Sequence, residues 1–209
     1  MMFALLESKF KESLIMIYNT ILKTIKFISL ILFFVFPLSI LSQTSTIDSL
    51  IKISKSNTAD SNKVNALNNL FTEYRYSDEI LANNYLKQSI HVAAKTKYTK
   101  GYALALYNKG AFEGEHGNFD SSDFYIEKSL LEYKKINAQD GIAACKMAFG
   151  FNYYDKSDFK QALNCFLESA KLKESIKDLK GQAGAFIWIG NVYNNGLNKP
   201  QFALPYFEK

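Results

Sequence analysis

The sequence predicts an all-α solenoid, a stack of antiparallel helix pairs, and three observations predict it. Glycine recurs at a forty-residue interval, as Gly101, Gly141 and Gly181 and again as Gly110, Gly150 and Gly190. Ala103, Ala143 and Ala183, then Phe119 and Phe159, then Ser129 and Ser169 keep the same interval; self-similarity at a fixed period marks stacked units rather than one round core. Between these marks the apolar residues are spaced for helices, and the 209-residue chain contains only 3 prolines to interrupt them.

Residues 1–43 stand apart from the repeats. Lys23 and Lys26 precede an apolar run, Phe27 to Leu41, that gives way to Ser42-Gln43-Thr44-Ser45. Basic residues, a short apolar stretch and a small residue follow the order of a secretory signal peptide. The run has about 15 residues and includes Pro37, short of the roughly 20 that span a bilayer. Cleavage near Ser42 or Gln43 is expected; an uncleaved signal anchor is the alternative, because Leu14 to Leu22 is also apolar. Glu7 and Glu12 are atypical of such a leader, and Met16 would give a more ordinary start. The chain is therefore expected to be exported, periplasmic or extracellular, or else membrane-anchored and facing the extracytoplasmic side.

Residues 44–61 are rich in Ser, Thr, Asn and Asp and carry Ile47, Leu50, Ile51 and Ile53. A short helix capped by Ser45 or Thr46 is expected there, covering the apolar end of the stack. From residue 62 two kinds of helix alternate. First-type helices are expected over Asn62 to Tyr76, Gly101 to His116, Gly141 to Asp155 and Gly181 to Asn194. Second-type helices are expected over Asp78 to Thr96, Asp120 to Asn137, Asp158 to Lys177 and Pro200 to the end. Asp78, Asp120 and Asp158 suit N-caps or first turns, and Pro200 suits a first helical position. Gly117-Asn118, Lys156-Ser157 and Asn194-Asn195-Gly196 supply turn chemistry between them. The repeats thus run over about 62–100, 101–140, 141–180 and 181–209. The fourth is cut short, with its small position falling one place beyond Lys209. A fragment of a longer chain is expected, because stack ends expose apolar surface, and the open C-terminal end also offers a surface for self-association.

Faces follow from spacing. Ala162, Phe166, Ser169 and Ala170 form one helical stripe, and Phe149, Gly150 and Tyr153 a facing one. Gly110, Gly150 and Gly190 lie at such crossings. A missing side chain lets two helices come near, which explains a residue that costs about 1 kcal/mol relative to Ala in a helix.

These stripes resemble the tetratricopeptide (TPR) repeat, W-x2-L-G-x2-Y followed by A-x3-F and P. The fourth repeat reads Phe186-x2-Ile189-Gly190-x2-Tyr193, then Ala203-x3-Phe207; the third reads Phe149-Gly150-x2-Tyr153, then Ala162-x3-Phe166, with Lys146 in place of the large aromatic. The first keeps Leu67, Leu70, Tyr74, Ala82 and Leu86, with one residue fewer in its turn; the second keeps Gly110, Phe119, Ser122 and Ile126. Two departures from the pattern are a period of forty rather than 34, and Lys134 and Glu174 near the place of the closing proline. Six more residues lengthen each helix by about one turn. The resemblance implies a right-handed superhelix of helical hairpins. It is nearest to the long-repeat TPR regions of exported bacterial proteins, many of them input regions of histidine kinases, nucleotide cyclases or helix-turn-helix regulators.

The resemblance also implies a groove lined by first-type helices that binds a protein or peptide. Carried over by position, the groove residues are Tyr107, Asn108, Ala111, Met147, Ala148, Phe151, Tyr154, Trp188, Asn191 and Asn194. Aromatics and methionine offer contact area, and asparagine amides suit an extended backbone; packing between repeats is the alternative use of the same stripe. A clamp for a terminal carboxylate is not reproduced, since Ala111 and Phe151 stand where Asn belongs and only Asn191 fits.

Other functions find little support. The basic excess, 25 Lys and Arg against 20 Asp and Glu, falls to about +3 once residues 1–43 are set aside. The cations are lysines apart from Arg75, with no basic stripe interleaved with aromatics, so nucleic acid is not an expected partner. Neither HExxH, GxSxG, GxxxxGK[ST] nor CxxC occurs, so no catalytic residue, cofactor or metal is expected. Glu113, Glu115 and His116 read as a solvated turn, because adjacent helical residues face different ways. Gly110, Gly114 and Gly117 fall within and after a helix, not after a strand as a phosphate loop requires. His91 reads as a surface or interface residue. Cys145 and Cys165 differ in distance from the intervening turn, which strains a direct bridge, and are expected to be free buried thiols.

Overall fold

The computed structural model describes residues 16–18, 20–27, 46–57 and 60–208. Two compact units, 1–49 and 50–209, are each described by themselves. In the first, residues 16–18 and 20–27 are helical. The apolar run beyond Phe27, the cleavage position at Ser42 or Gln43 and the cap Ser45 lie outside the described residues. Among those described, no helix is long and apolar enough to cross a membrane. A short helix covers 46–54, so Thr46 lies inside it rather than capping it. In the second unit, the end of this helix meets the stack where the Lys63 ammonium donates to the Ser56 carbonyl at 2.7 Å.

The stack consists of α1 (Ser61–Tyr74), α2 (Glu79–Thr96), α3 (Thr99–Glu115), α4 (Phe119–Lys135), α5 (Gln139–Asp155), α6 (Phe159–Ser175), α7 (Leu179–Asn191) and α8 (Pro200–Phe207). They pack as consecutive pairs, and α1 with α3 and α3 with α5 also touch, so the first-type helices share one face. The chain is an all-α helical solenoid.

Aspartate side chains cap some of the helix starts. Asp78 and Asp158 accept the backbone N–H of Leu81 and Gln161 at 2.9 and 3.1 Å, each satisfying a donor left over in a first turn. Asp120 is a first-turn acid behind Asn118, the N-cap of α4. The first-type helices α3, α5 and α7 begin two residues before Gly101, Gly141 and Gly181, where the sequence placed their starts. The reason is the joint. Lys97, Asn137 and Lys177 turn left-handed at φ 56, 52 and 58°. The next N–H, of Tyr98, Ala138 or Asp178, returns to the carbonyl of Ala93, Tyr133 or Lys173 at 3.1, 3.0 and 2.9 Å. Such a Schellman closure ends one helix and releases the chain directly into the next.

Register differs from expectation at both ends of the array. The N-cap positions Asp78, Asn118 and Asp158 are evenly spaced, so the first repeat is in step rather than one residue short. The fourth hairpin carries an extra residue instead, since its N-cap is Lys199. Val192–Gly196 absorbs that residue as a π-helical turn.

Recurrent small and polar residues mark how the pairs lock. Ser89, Ser129 and Ser169 are fully buried, and their hydroxyls donate to the carbonyls of Val64, Ala103 and Ala143 at 3.4, 2.7 and 3.0 Å. At Gly110, Gly150 and Gly190 a Cβ would lie 2.6 Å from Ile126 Cδ1, 2.4 Å from Phe166 Cε1 and 2.3 Å from Phe207 Cε1. These glycines are the crossing points of the second, third and fourth hairpins. Ala162, Phe166, Ser169 and Ala170 are buried; Phe149 and Tyr153 pack half-buried against the cores. Both cysteines are free. Cys145 is buried and its Sγ donates to Ser129 Oγ at 3.5 Å, whereas Cys165 is half-buried rather than buried. Burial pushes both thiols up to about 11.

Candidate functional site

A cleft of about 350 Å³ opens on the face made by the first-type helices. Six of the ten residues expected in the groove line it: Tyr107 and Ala111 from α3, Ala148, Phe151 and Tyr154 from α5, and Trp188 from α7. The other four do not line this cleft. Asn108 is buried in α3, and Met147 packs against the α6–α7 core. Asn191 is half-buried at the end of α7. Asn194 falls in the π-helical turn, exposed, its amide donating to Asn195 Oδ1 at 2.8 Å.

The cleft exists because one repeat lacks side chains that its neighbours have. Equivalent places along the stack hold Phe71, Ala111, Phe151 and Asn191, and one turn on, Tyr74, Gly114, Tyr154 and Asn194. The first and third repeats carry a phenyl and a phenol where the second has only Ala111 and Gly114; Ala111 leaves a space beside Phe151, Tyr154 and Trp188, while the Asn152 amide packs against Gly114, 2.8 Å from where a Cβ would stand. Nearby Asn152 is buried, its Nδ2 donating to Ser122 Oγ at 2.8 Å and Asp123 Oδ1 at 2.7 Å. That amide ties α5 to α4 and fixes the cleft floor.

One wall is a rigid aromatic cluster. The Trp188 ring meets Phe151 edge-on at 4.8 Å and Tyr154 at 5.7 Å. Behind them, fully buried Phe166 lies 5.5 Å from Phe151 and 6.0 Å from Trp188. Such packing holds the rings in place before any ligand arrives. Burial, the largest influence on it, raises the Tyr107 hydroxyl above its ordinary value, so it is a neutral donor at physiological pH.

The rim is charged, and sequence reasoning missed it. Arg75, Glu115 and Asp155 line the cleft and occupy one repeat position at forty-residue steps, followed by Asn195. Arg75 pairs with Glu115 and lays its guanidinium over Phe71 and Tyr76, 5.4 and 4.9 Å from the ring centroids. Gly114 and Asn152 also line the cleft unannounced. Superposing the repeats on the glycine interval would have found Gly114, Glu115 and Asp155.

The turn at Glu113, Glu115 and His116 spreads its side chains among separate partners. Glu113 takes Lys109 at 2.5 Å and the Asn118 amide at 2.9 Å, and the Lys109 bond, the largest cause, lowers its carboxyl below the usual range. His116 Nδ1 lies 2.7 Å from the Phe112 carbonyl and Nε2 3.3 Å from Glu79. Among the described residues, no group of three or more His, Cys, Asp or Glu is placed to hold a metal ion.

No family model matches the chain. Response regulator aspartate phosphatase E of Bacillus subtilis (strain 168) is similar to it, 30% identical over 84 residues. The match covers 40% of this chain and only 22% of that protein. Among solved structures, BtubC (BKLC) from P. vanneervenii shares the fold with a TM-score of 0.64 at 14% identity, over 79% of this chain and 69% of that one. The chain is a helical-repeat protein. At that identity the structural likeness concerns the fold alone.

Proposed function

We propose that this chain is a protein-interaction module, not an enzyme, and that it binds a polypeptide segment in the cleft made by α1, α3, α5 and α7. The observation that carries this reading is the cleft itself: open, walled by packed aromatics, and floored by the small residues of one repeat. Aromatic walls suit a partner's apolar side chains, and polar atoms at floor and rim suit its backbone. Likeness to a response regulator phosphatase is compatible with a protein partner. Export belongs to the same proposal and is supported by Lys23 and Lys26 preceding the apolar run to Leu41. A second reading makes the chain the input region of a signalling protein such as a histidine kinase, nucleotide cyclase or helix-turn-helix regulator. The name of the curated relative favours it. Reading the gene downstream of Lys209 tests that: a membrane span of roughly 20 residues and an output domain are expected, and a stop codon there would overturn it.

The cleft is tested by filling it. Ala111→Phe places a phenyl where the first and third repeats already carry one. Short random peptides are displayed and selected on the full chain, with the Ala111→Phe chain as counter-selection. Peptides retained by the native chain and lost by the variant, at unchanged helicity, are the expected result. If every retained peptide binds both chains equally, the cleft is not the binding site.

A further inference from the structure

We propose that the partner segment presents an arginine or lysine side chain to Asp155. This rests on the cleft binding a polypeptide and names the chemistry of its ligand.

Three observations converge. The first is the charge ladder: Arg75, Glu115, Asp155 and Asn195 occupy one repeat position, and the first three line the cleft. The first two form an ion pair, although the buried Arg75 Nε has no hydrogen-bond partner among the described residues. Asp155 has no hydrogen bond or ion pair with any of the described residues, and its sequence neighbour Lys156 is engaged by Asp123 at 2.8 Å. One carboxylate is thus left without a cation in a row where the preceding carboxylate has one.

The second is the aromatic setting. Arg75 lays its guanidinium over Phe71 while pairing with Glu115. The counterparts of Phe71 and Tyr74 in the third repeat are Phe151 and Tyr154, which line the cleft with Trp188 and Asp155. A ligand cation at Asp155 would find both a carboxylate and ring faces, the pairing that holds Arg75 inside the protein.

The third is local sign. Rim residues Glu115 and Asp155 are the last residues of α3 and α5, where the partial negative charge of a helix end favours a cation. Cleft-lining charges sum to one negative, from Arg75, Glu115 and Asp155, in a chain whose net charge is +5. A basic segment is drawn to this cleft.

The chain contains 1 tryptophan, Trp188, and it lines the cleft, so its fluorescence reports occupancy. Peptides enriched on the full chain are sequenced. Each peptide with a recurrent basic residue is resynthesised with citrulline for arginine, or acetyl-lysine for lysine, and titrated against Trp188 emission. The expected result is enrichment of Arg or Lys at one position and loss of about tenfold or more in affinity with the neutral isostere. Asp155→Asn should give the same loss for the basic peptide and leave the affinity of the neutral one unchanged. Asp155→Lys should shift selection towards Asp or Glu. If enriched peptides compete with Ala111→Phe filling but show no basic preference, or if Asp155→Asn binds the basic peptide as tightly, the cation proposal falls and the cleft reading stands. If no peptide distinguishes the Ala111→Phe chain, the cleft reading falls and takes this proposal with it.

Discussion

Gly150→Ala adds one methyl group at the crossing of α5 and α6, and the structure sets its cost. The new Cβ would lie 2.4 Å from Phe166 Cε1 and 2.6 Å from its Cδ1. Ordinary contact needs about 3.5 Å or more, so something must move by roughly 1 Å. Phe166 is fully buried and held between Phe151 and Trp188, so it has no free direction. Overpacking of this kind costs about 1–3 kcal/mol. Alanine returns about 1 kcal/mol of helix propensity. A net loss of up to about 2 kcal/mol is expected, which shifts a urea midpoint by up to about 1 M at an m-value of roughly 2 kcal/mol/M. Gly110→Ala should behave alike, because its Cβ meets Ile126, also fully buried, including the backbone nitrogen at 3.0 Å. Gly190→Ala should be close to neutral: the obstructing Phe207 is 47% exposed and can swing aside. Gly184→Ala meets nothing within 4 Å and should stabilise by about 0.5–1 kcal/mol. Urea unfolding of the four variants, followed by far-UV circular dichroism and Trp188 emission, gives the ranking. Gly150→Ala should also alter Trp188 emission in the folded state, because Phe166 backs that ring. A Gly150→Ala protein as stable as Gly184→Ala, with native emission, would refute the crossing-point account.

Two further predictions concern joints and pH. Ser157 closes α5 with φ 62°, where Gly117 closes α3 at φ 75°; a side chain in that region costs about 1–2 kcal/mol. Ser157→Gly should therefore raise the urea midpoint by an amount corresponding to about 0.5–1 kcal/mol, and a lowered midpoint would contradict it. His116 has its pKa raised above the ordinary 6.5, first by its bond to the Phe112 carbonyl and then by Glu79. A raised folded-state value stabilises the protonated form, so the contribution is full below the ordinary value and is lost as pH rises through the raised one. The effect is small at such an exposed site. His116→Gln should flatten the decline in melting temperature just above pH 6.5; identical slopes in the two proteins would remove the assignment.

The backbone of this fold was legible because its marks are set by backbone geometry. Crossing glycines, Asp caps and buried serines answer to helix spacing and leftover N–H and C=O groups, and these recur wherever the hairpin recurs. Two features escaped. The first-type helices start before their glycines because a Schellman joint needs no polar stretch of sequence to announce it; Lys97 and Lys177 adopt the left-handed turn as Asn137 does. The register error had a different origin. Aligning Tyr74 with Tyr153 put the first repeat a residue short, whereas the caps Asp78 and Asp158 pair Tyr74 with Tyr154. Caps are fixed by the helix end they satisfy; an aromatic can serve from either of two adjacent positions.

The site was half legible for a related reason. Searching each first-type helix for large residues finds Tyr107, Phe151, Tyr154 and Trp188, which are the walls. The opening between them comes from what the second repeat lacks, and Ala111 and Gly114 are informative only when set beside Phe71, Phe151, Tyr74 and Tyr154. In a stack, positions that lock the two helices of a pair must satisfy the same geometry every time, as Ser89, Ser129 and Ser169 do. Positions on the shared face carry no such constraint. The row Phe71, Ala111, Phe151, Asn191 and the row Arg75, Glu115, Asp155, Asn195 change character from repeat to repeat, and Ala111, Phe151, Arg75, Glu115 and Asp155 from these rows line the cleft. Within one chain, departure from the repeat at an otherwise periodic face is therefore a physical pointer to a candidate site.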